Sequence, residues 1–553
     1  MRNLTTVKVS RSAFLFLRLH DRPKTEWTNK GGEMLSIGTK KRQSLFLISA
    51  LTCFLVFILL APGEANAAPK GKITIAIPTA FEITGGDPHT NTGATGTTIT
   101  SLLYDGLAHK KPNGKLYPAL AKSWKIATNW SNIRLFLDER ATFADGTPVT
   151  AADVKFSIER AMRPELKFVF GGEVKRNVKS IEIVNDHELI VYLNSAYPAF
   201  LDRTAKILST VPKAYVEKLG DAEFAKNPMG AGPFKFVKFK QDVFFDVVAR
   251  DEHYRKVAHV KEVHYMSVPE DATRLAMLQT GEADVIGIQA QQIPIIKKDP
   301  KLQLGWSKFS YLRNINFYAL ADPKTPSPFL DKRVRMAVAY GIDREGISKN
   351  VLLGTTEPWS GCLAPYHAGF DPSAKPLPYD PEKAKALLKE AGYPNGFDTV
   401  LYSDPPVKTS TEAIAASLKK VGIRAKVVIP EHGTWTRMVR EKKFGHMGSH
   451  PTPWWAGRTH PSTALQSTFA PSSPWTYVTT PELVAALNHL NEQIEDADIA
   501  KAARALNKIY LDLAYRVNLW AVHIPYGMSG RIKYWENVAG RIFPVGFEYL
   551  TLK

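Results

Sequence analysis

An α/β protein with more than one sheet is the fold class this chain predicts, on three observations. Short runs with strand alternation and short runs with helical periodicity interleave along its length. Several helical runs carry their own start and stop residues. At 553 residues the chain exceeds one ordinary domain, so two or three lobes are expected.

The amino end stands apart from the fold. Lys40-Lys41-Arg42 precedes an apolar run from Leu45 to Leu60, then Pro62-Gly63 and the small residues Ala65-Asn66-Ala67. This is the pattern of a secretory signal peptide over 34–67 cleaved after Ala67; the run is short for a retained membrane anchor. Cys53 follows Thr52, where a lipidation signal would want a small residue. Residues 1–33 fit no signal pattern, and Gly31-Gly32-Glu33 suits the codons of a ribosome-binding site before Met34. Met34 is therefore read as the start and 1–33 as an upstream extension.

Without residues 1–67 the chain holds 62 basic and 49 acidic residues, a formal net charge of +13. The basic residues are scattered, with doublets such as Lys297-Lys298 and Lys419-Lys420, so a nucleic-acid interface is not indicated. One cysteine, Cys362, remains, and no internal disulfide can form.

The mature chain opens with "KITIAIP", where Ile73, Ile75 and Ile77 alternate as in a half-buried strand. "GGDPHTNTGATGTTIT" is polar and glycine-rich and reads as loop, before the helix-like "TSLLYDGL". "WKIATNWSNIRLFLDERATFADGTPV" reads as two strands joined by a turn. "PVTAADVKFSIERAM" reads as a helix capped by Thr150, with Asp153 completing a capping box. "SIEIVNDHELIVYL" is a hairpin turning at Asn185-Asp186, and "GAGPFKFVKFKQDVFFDVVAR" is another. "KRVRMAVAYGIDRE" is an amphipathic helix whose basic residues form a solvated face. "YDPEKAKALLKEAGYPNGF" is a helix with Asp380 as cap, Pro381 at its first position and Gly392 past its end. "TEAIAASLKKVGIRAKVVI" is helix, glycine stop and strand. "TPELVAALNHLNEQIEDADIAKAARALNKIYLDLAYRV" gives two helices, and "NLWAVHIPYGMSG" returns to strand.

Together these stretches resemble the extracellular solute-binding proteins of the peptide and nickel class, family 5, which serve ABC importers. The resemblance is carried by the block from "LLYDGLAHKKPNGKLYPALAKSW" to "FADGTPVTAADVKFSIERA", then "MGAGPFKFVKF", "LQTGEADV", "DKRVRMAVAYGIDREGI" and "YDPEKAKALLKEAGYPNGF", in family order over about residues 72–530. It implies a two-lobed periplasmic binding protein fold with a hinge, an additional domain and discontinuous domains. The first lobe is expected at 68–104, 209–310 and 526–553, the additional domain at 105–208 and the second lobe at 311–525. Ligand would lie between the lobes and be buried on closure.

No Gly-x-Ser-x-Gly elbow, His-Glu-x-x-His motif or phosphate loop is present, so an enzyme, such as a secreted hydrolase, is the remote alternative. A metal or nickel-type complex is the nearer one, and it draws attention to His432, His446, His450 and His460. Four-residue spacing joins His446 and His450 only on a helix, which Gly445, Gly448 and Pro451 oppose.

"GSHPTPWWAGRTHP" is the stretch that the resemblance makes a ligand wall. Trp454 and Trp455 would be core or stacking surface, with at least one indole expected at the cleft. Matching "HPSTAL" to the family's Asp-Pro-x-x-x-Leu puts Gly457 where many peptide binders hold the aspartate that pairs with a peptide amine. Arg458 follows, a planar donor fork suited to carboxylate or phosphate, or to a surface salt bridge. The expected ligand-binding residues are Trp454, Trp455, Arg458 and His450, Asn91 from the loop "DPHTNTGAT", and Tyr311 and Arg313. No cofactor or resident metal is expected. The expected partners are a small or peptide-like solute and an inner-membrane permease with its ATPase, met by a periplasmic monomer. Intact mass of the exported protein should correspond to a chain beginning at Ala68; retention of residues 45–60 would contradict the cleavage.

Overall fold

The structure, a computed structural model, describes residues 68–553 except 79–84, 91–93, 169, 206–207, 322–323, 325, 405–406, 432–433, 435–436, 439–440, 442–445, 453–459, 472, 474–475, 539–540 and 542. The principal sheet has 11 strands. Across it run Ile423–Val428, Phe397–Ser403, Met447–Thr452, Leu302–Phe317, Arg516–Ser529, Val285–Gly287, Lys72–Ile77, Glu262–Ser267, Phe244–Ala249 and Phe234–Lys240. Thr356–Pro358 adds to the side of Arg516–Ser529.

Two long antiparallel strands, Leu302–Phe317 and Arg516–Ser529, hold this sheet together. Met447–Thr452 pairs with Leu312–Phe317, and Val285–Gly287 pairs with Tyr526–Met528. One half of the sheet therefore grows from one end of the pair and the other half from the opposite end. Between Ser307 and Tyr311 the register shifts, and Phe309 turns to a φ of 53°. Such a bulge bends a strand and re-aims the side chains that follow.

Each half has its own core. Ile73, Ile75, Phe245, Val263 and Tyr526 pack at one end, and Val334, Val338, Ile414, Leu418 and Trp520 at the other. A separate four-stranded antiparallel sheet, Ala121–Ile126, Asn132–Leu137, Glu188–Leu193 and Val178–Asn185, buries Leu135 and Val191 against Val154 and Ile158 of the helix Ala151–Ala161. Helices Pro481–Glu492 and Asp496–Leu513 close a further cluster around Leu487 and Leu506.

Local punctuation places most elements where the sequence reads them. The Asp153 carboxylate accepts the Thr150 backbone N–H at 2.9 Å and its hydroxyl at 2.8 Å. Asp380 accepts the Lys383 N–H at 2.9 Å, and Gly422 takes a φ of 94° between helix Lys408–Lys419 and strand Ile423–Val428.

Three readings need correction. "GGDPHTNTGATGTTIT" does not stay loop through Thr100: helix begins at Ala94 and ends at Leu103. Thr97, Thr98, Ile99, Leu102 and Leu103 are buried, so packing overrides the poor helix propensity of glycine and threonine. The hairpin loop after Asn185 is Asp186-His187, since Asn185 still pairs with Glu188. The basic residues of "KRVRMAVAYGIDRE" are not all solvated. Arg335 and Arg344 are buried, and their guanidinium forks donate to backbone carbonyls: Arg335 to Ala514, Leu513, Phe329 and Leu330, Arg344 to Asn518 and Ala339. A planar five-donor group can satisfy helix ends and loops inside a core where an ammonium cannot reach them all.

Truncating Arg335 strands those carbonyls. Arg335→Ala should lower unfolding free energy by about 3 kcal/mol, whereas Arg333→Ala, on the exposed side of the same helix, should cost under about 1 kcal/mol. Urea denaturation of the two variants would separate them.

Candidate functional site

Where the two halves of the sheet meet, a cavity of about 410 Å³ opens beside the bulge. Its walls come from both ends of the long strand pair. Pro78, Gly287–Gln291 and Tyr526 face it from one side, and Thr355, Thr356, Thr409, Ser410 and Trp520 from the other. Tyr311 and Arg313, the first residues after the bulge, line it as well. They are two apart on a strand and so share a face. The Arg313 guanidinium carbon lies 5.7 Å from the centre of the Tyr311 ring.

Arg313 is 5% exposed, and among the described residues its Nη1 has no hydrogen-bond partner. Burial draws its pKa down, while Tyr311 and Asp404 act in the opposite direction. An arginine side chain nevertheless keeps its charge in a protein. The cavity thus contains an incompletely satisfied cationic fork. Arg274, also on the wall, differs: it donates to the Gly287, Val268 and Pro269 carbonyls and pairs with Asp271, so each of its three nitrogens has an acceptor.

His523 lines the cavity from the other long strand and holds the bulge in place. Its Nδ1 accepts the Phe309 N–H at 3.1 Å, which assigns the proton to Nε2. The rings of Phe309 and His523 meet edge to face at 5.1 Å. Burial, then Lys308, lowers the His523 pKa to about 4. At neutral pH its 3.7 Å approach to Glu357 is therefore not an ion pair.

Of the other expected ligand residues, Asn91, Trp454, Trp455 and Arg458 lie outside the described residues, as do Gly457 and His432. His450 stands on the strand Met447–Thr452, opposite Asn314. That strand leaves no helical His446–His450 pair. His446 contacts the Thr399 hydroxyl at 3.3 Å, and His460 caps the helix Pro461–Phe469. Among the described residues no group of three potential metal-ligating side chains converges. The start of the loop "DPHTNTGAT" is clamped: Asp87 takes two bonds from buried Arg160, at 3.0 and 2.6 Å, and His89 Nδ1 accepts a third at 2.9 Å.

Gln289, Thr355, Thr356 and His523 were not singled out from sequence. Nothing in the local sequence marks them as wall residues: His523 and Trp520 are three apart on one strand, a spacing that puts side chains on opposite faces. The link between the segments appears only when the strands pair.

Residues 115–475 match the profile "Bacterial extracellular solute-binding proteins, family 5 Middle". The chain belongs to that family. The glutathione-binding protein GsiB of Escherichia coli strain K12 is 29% identical over 418 residues, covering 74% of this chain and 79% of GsiB. Among solved structures, HbpA2 from Haemophilus parasuis superposes with a TM-score of 0.77 at 23% identity, covering 87% of this chain and 100% of that one. The ABC transporter-associated periplasmic binding protein DppA from Helicobacter pylori, in complex with the peptide STSA, gives 0.71 at 22%, covering 88% and 98%. The fold is the two-lobed one of periplasmic binding proteins. Family members bind solutes rather than transform them, and no described helix is long and apolar enough to cross a membrane.

Buried neutral histidines set an acid limit on this fold. Burial lowers His89, His460 and His523 from 6.5 to about 4. Their folded pKa lies below the unfolded one, so their contribution is whole above about pH 6.5 and is lost as pH falls toward 4. Melting temperature should decline across that window. His523→Asn, which keeps an acceptor for the Phe309 N–H, should flatten part of the decline; an unchanged slope would remove His523 from the account.

Proposed function

We propose that this protein is the capture component of an ABC importer for a small, peptide-like organic solute bearing a carboxylate or other anionic group. One observation supports the anionic preference: Arg313, buried in the cavity wall with an unpartnered Nη1 among the described residues. Leaving a buried cation short of partners is costly, and an incoming carboxylate relieves that cost with a planar bidentate match. Tyr311 is the companion residue, offering a ring face to the ligand stem and a hydroxyl to its polar end.

The glutathione-binding protein GsiB and the peptide complex of DppA agree with a solute of this size and chemistry. Cavity volume favours the same class: about 410 Å³ suits a compact solute of tripeptide scale or below. In this reading the lobes divide at the Ser307–Tyr311 irregularity, with 68–104, 209–310 and 526–553 on one side and 311–525 on the other. Residues 105–208 form the additional domain. Closure about the long strand pair buries the solute, and the closed form is what the membrane permease and its ATPase accept. Export to the periplasm follows from the leader read in residues 34–67.

Native mass spectrometry of protein purified from periplasm would identify a retained solute, and reduced glutathione is the first probe for calorimetry. Arg313→Met should weaken glutathione binding by about 10- to 100-fold, the range of a hydrogen bond to a charged group. Its melting temperature should hold or rise, because a buried cation with one unsatisfied nitrogen is removed. Wild-type affinity in Arg313→Met would take the arginine out of the site; retention of a purely cationic solute would overturn the anionic preference.

A further inference from the structure

A second group of buried cations lies away from Arg313, around a small cavity of about 40 Å³. Lys110, at the end of the strand Ala108–Lys110, is 4% exposed, and Arg541, in the carboxy-terminal segment, is 7% exposed. Both line this cavity. Lys110 Nζ and Arg541 Nε have no hydrogen-bond partner among the described residues. Neither forms an ion pair there, although carboxylates are near. Asp105 and Glu548 share the wall, but Arg255 already holds them, at 3.0 and 3.3 Å. Asp202 acts on Lys110 through space and accepts the His460 N–H at 2.9 Å.

The placement is enforced rather than incidental. The Arg541 carbonyl accepts the hydroxyls of Ser307 and Ser310, on either side of the strand bulge, so its backbone is tied to that bulge. Lys110 is held by pairing of its strand with Leu116–Pro118. Two like charges are thus brought to one enclosed space, and among the described residues no carboxylate makes a salt-bridge contact with either, Asp202 acting on Lys110 only through space. Burial lowers Lys110 to about 8 and Arg541 to about 10; for Lys110, Asp202 opposes the lowering and Arg541 adds to it.

We propose that Lys110 and Arg541 form a binding site for one small oxyanion of carboxylate size. The cavity admits a group of that size and little more. Lys110 supplies an ammonium point charge and Arg541 a fixed donor fork, the pairing that suits a carboxylate approached from two directions. The group is either a free small carboxylate or the second anionic end of the captured solute. The site goes beyond the cleft reading, and formate tests it whichever solute the cleft takes.

The test follows melting temperature of the full exported chain with sodium formate, at constant ionic strength held by the bulky HEPES anion. Wild type should show a saturable rise with formate and none with formamide, which has the same size but no charge. Lys110→Met and Arg541→Met should each lose that rise. An absent or unsaturable rise in wild type overturns the proposal, whether or not the variants fold. So does a rise that survives in both variants. Glutathione titrated with and without saturating formate then tells the two sources apart. Weaker glutathione binding in formate assigns the site to the solute's own second carboxylate, and unchanged binding assigns it to a free anion.

Discussion

Antiparallel pairing of Leu302–Phe317 with Arg516–Ser529 is the constraint on which the rest of the molecule depends. Every other strand of the principal sheet is attached, directly or through a neighbour, to one end of this pair or the other, except Thr356–Pro358, which pairs mid-strand with Trp520–Val522. Its register break between Ser307 and Tyr311 is held by three bonds. His523 receives the Phe309 N–H, and the hydroxyls of Ser307 and Ser310 donate to the Arg541 carbonyl. A bulge stapled from both sides is a defined bend rather than a defect. It turns Tyr311 and Arg313 into the larger cavity and fixes Arg541 beside the smaller one.

Buried arginines in this protein fall into distinguishable sets. Arg335 and Arg344 end on backbone carbonyls. Arg160 and Arg255 end on carboxylates, Asp87 with Asp221 and Asp105 with Glu548. These are structural because their donors are used. Arg313 and Arg541, with Lys110, keep buried donors without partners among the described residues, and all three face cavities. Burial alone would not separate the sets, since all are interior. Satisfaction of donors does, and it points to the places where something other than the protein completes the bonding.

Legibility in the sequence followed the range of the interactions involved. The helices at 151–161 and 381–390 were readable because their caps, Thr150 with Asp153 and Asp380, act within one turn. The start of the helix at Ala94 was not, because burial of Thr98, Ile99 and Leu102 by distant strands decides it. Arg335 looked like a surface charge for the same reason: its acceptors at Leu513 and Ala514 lie far along the chain. Tyr311 and Arg313 were found through the family's lobe crossing, and they do line the cavity. Lys110 and Arg541 carried no signal, since their meeting joins a strand near the amino end to a segment near the carboxy end.

An incompletely paired cation also bears on selectivity. If Arg313 is the proposed anion contact, its buried charge raises the energy of the ligand-free site, and a ligand that neutralises it would gain more than a contact in water would give. A neutral analogue of equal shape gains the apolar burial but leaves the fork unsatisfied, and it is rejected in proportion to that debt. In the proposed reading, discrimination would come from what the wrong ligand fails to supply. Because Arg313 sits directly after the bend and Arg541 is tied to it, neutralising either charge acts on the segment about which the lobes are proposed to close. A solute that carries the matching charge would then favour the closed form, whereas one that only fills the volume would bind without favouring closure to the same degree.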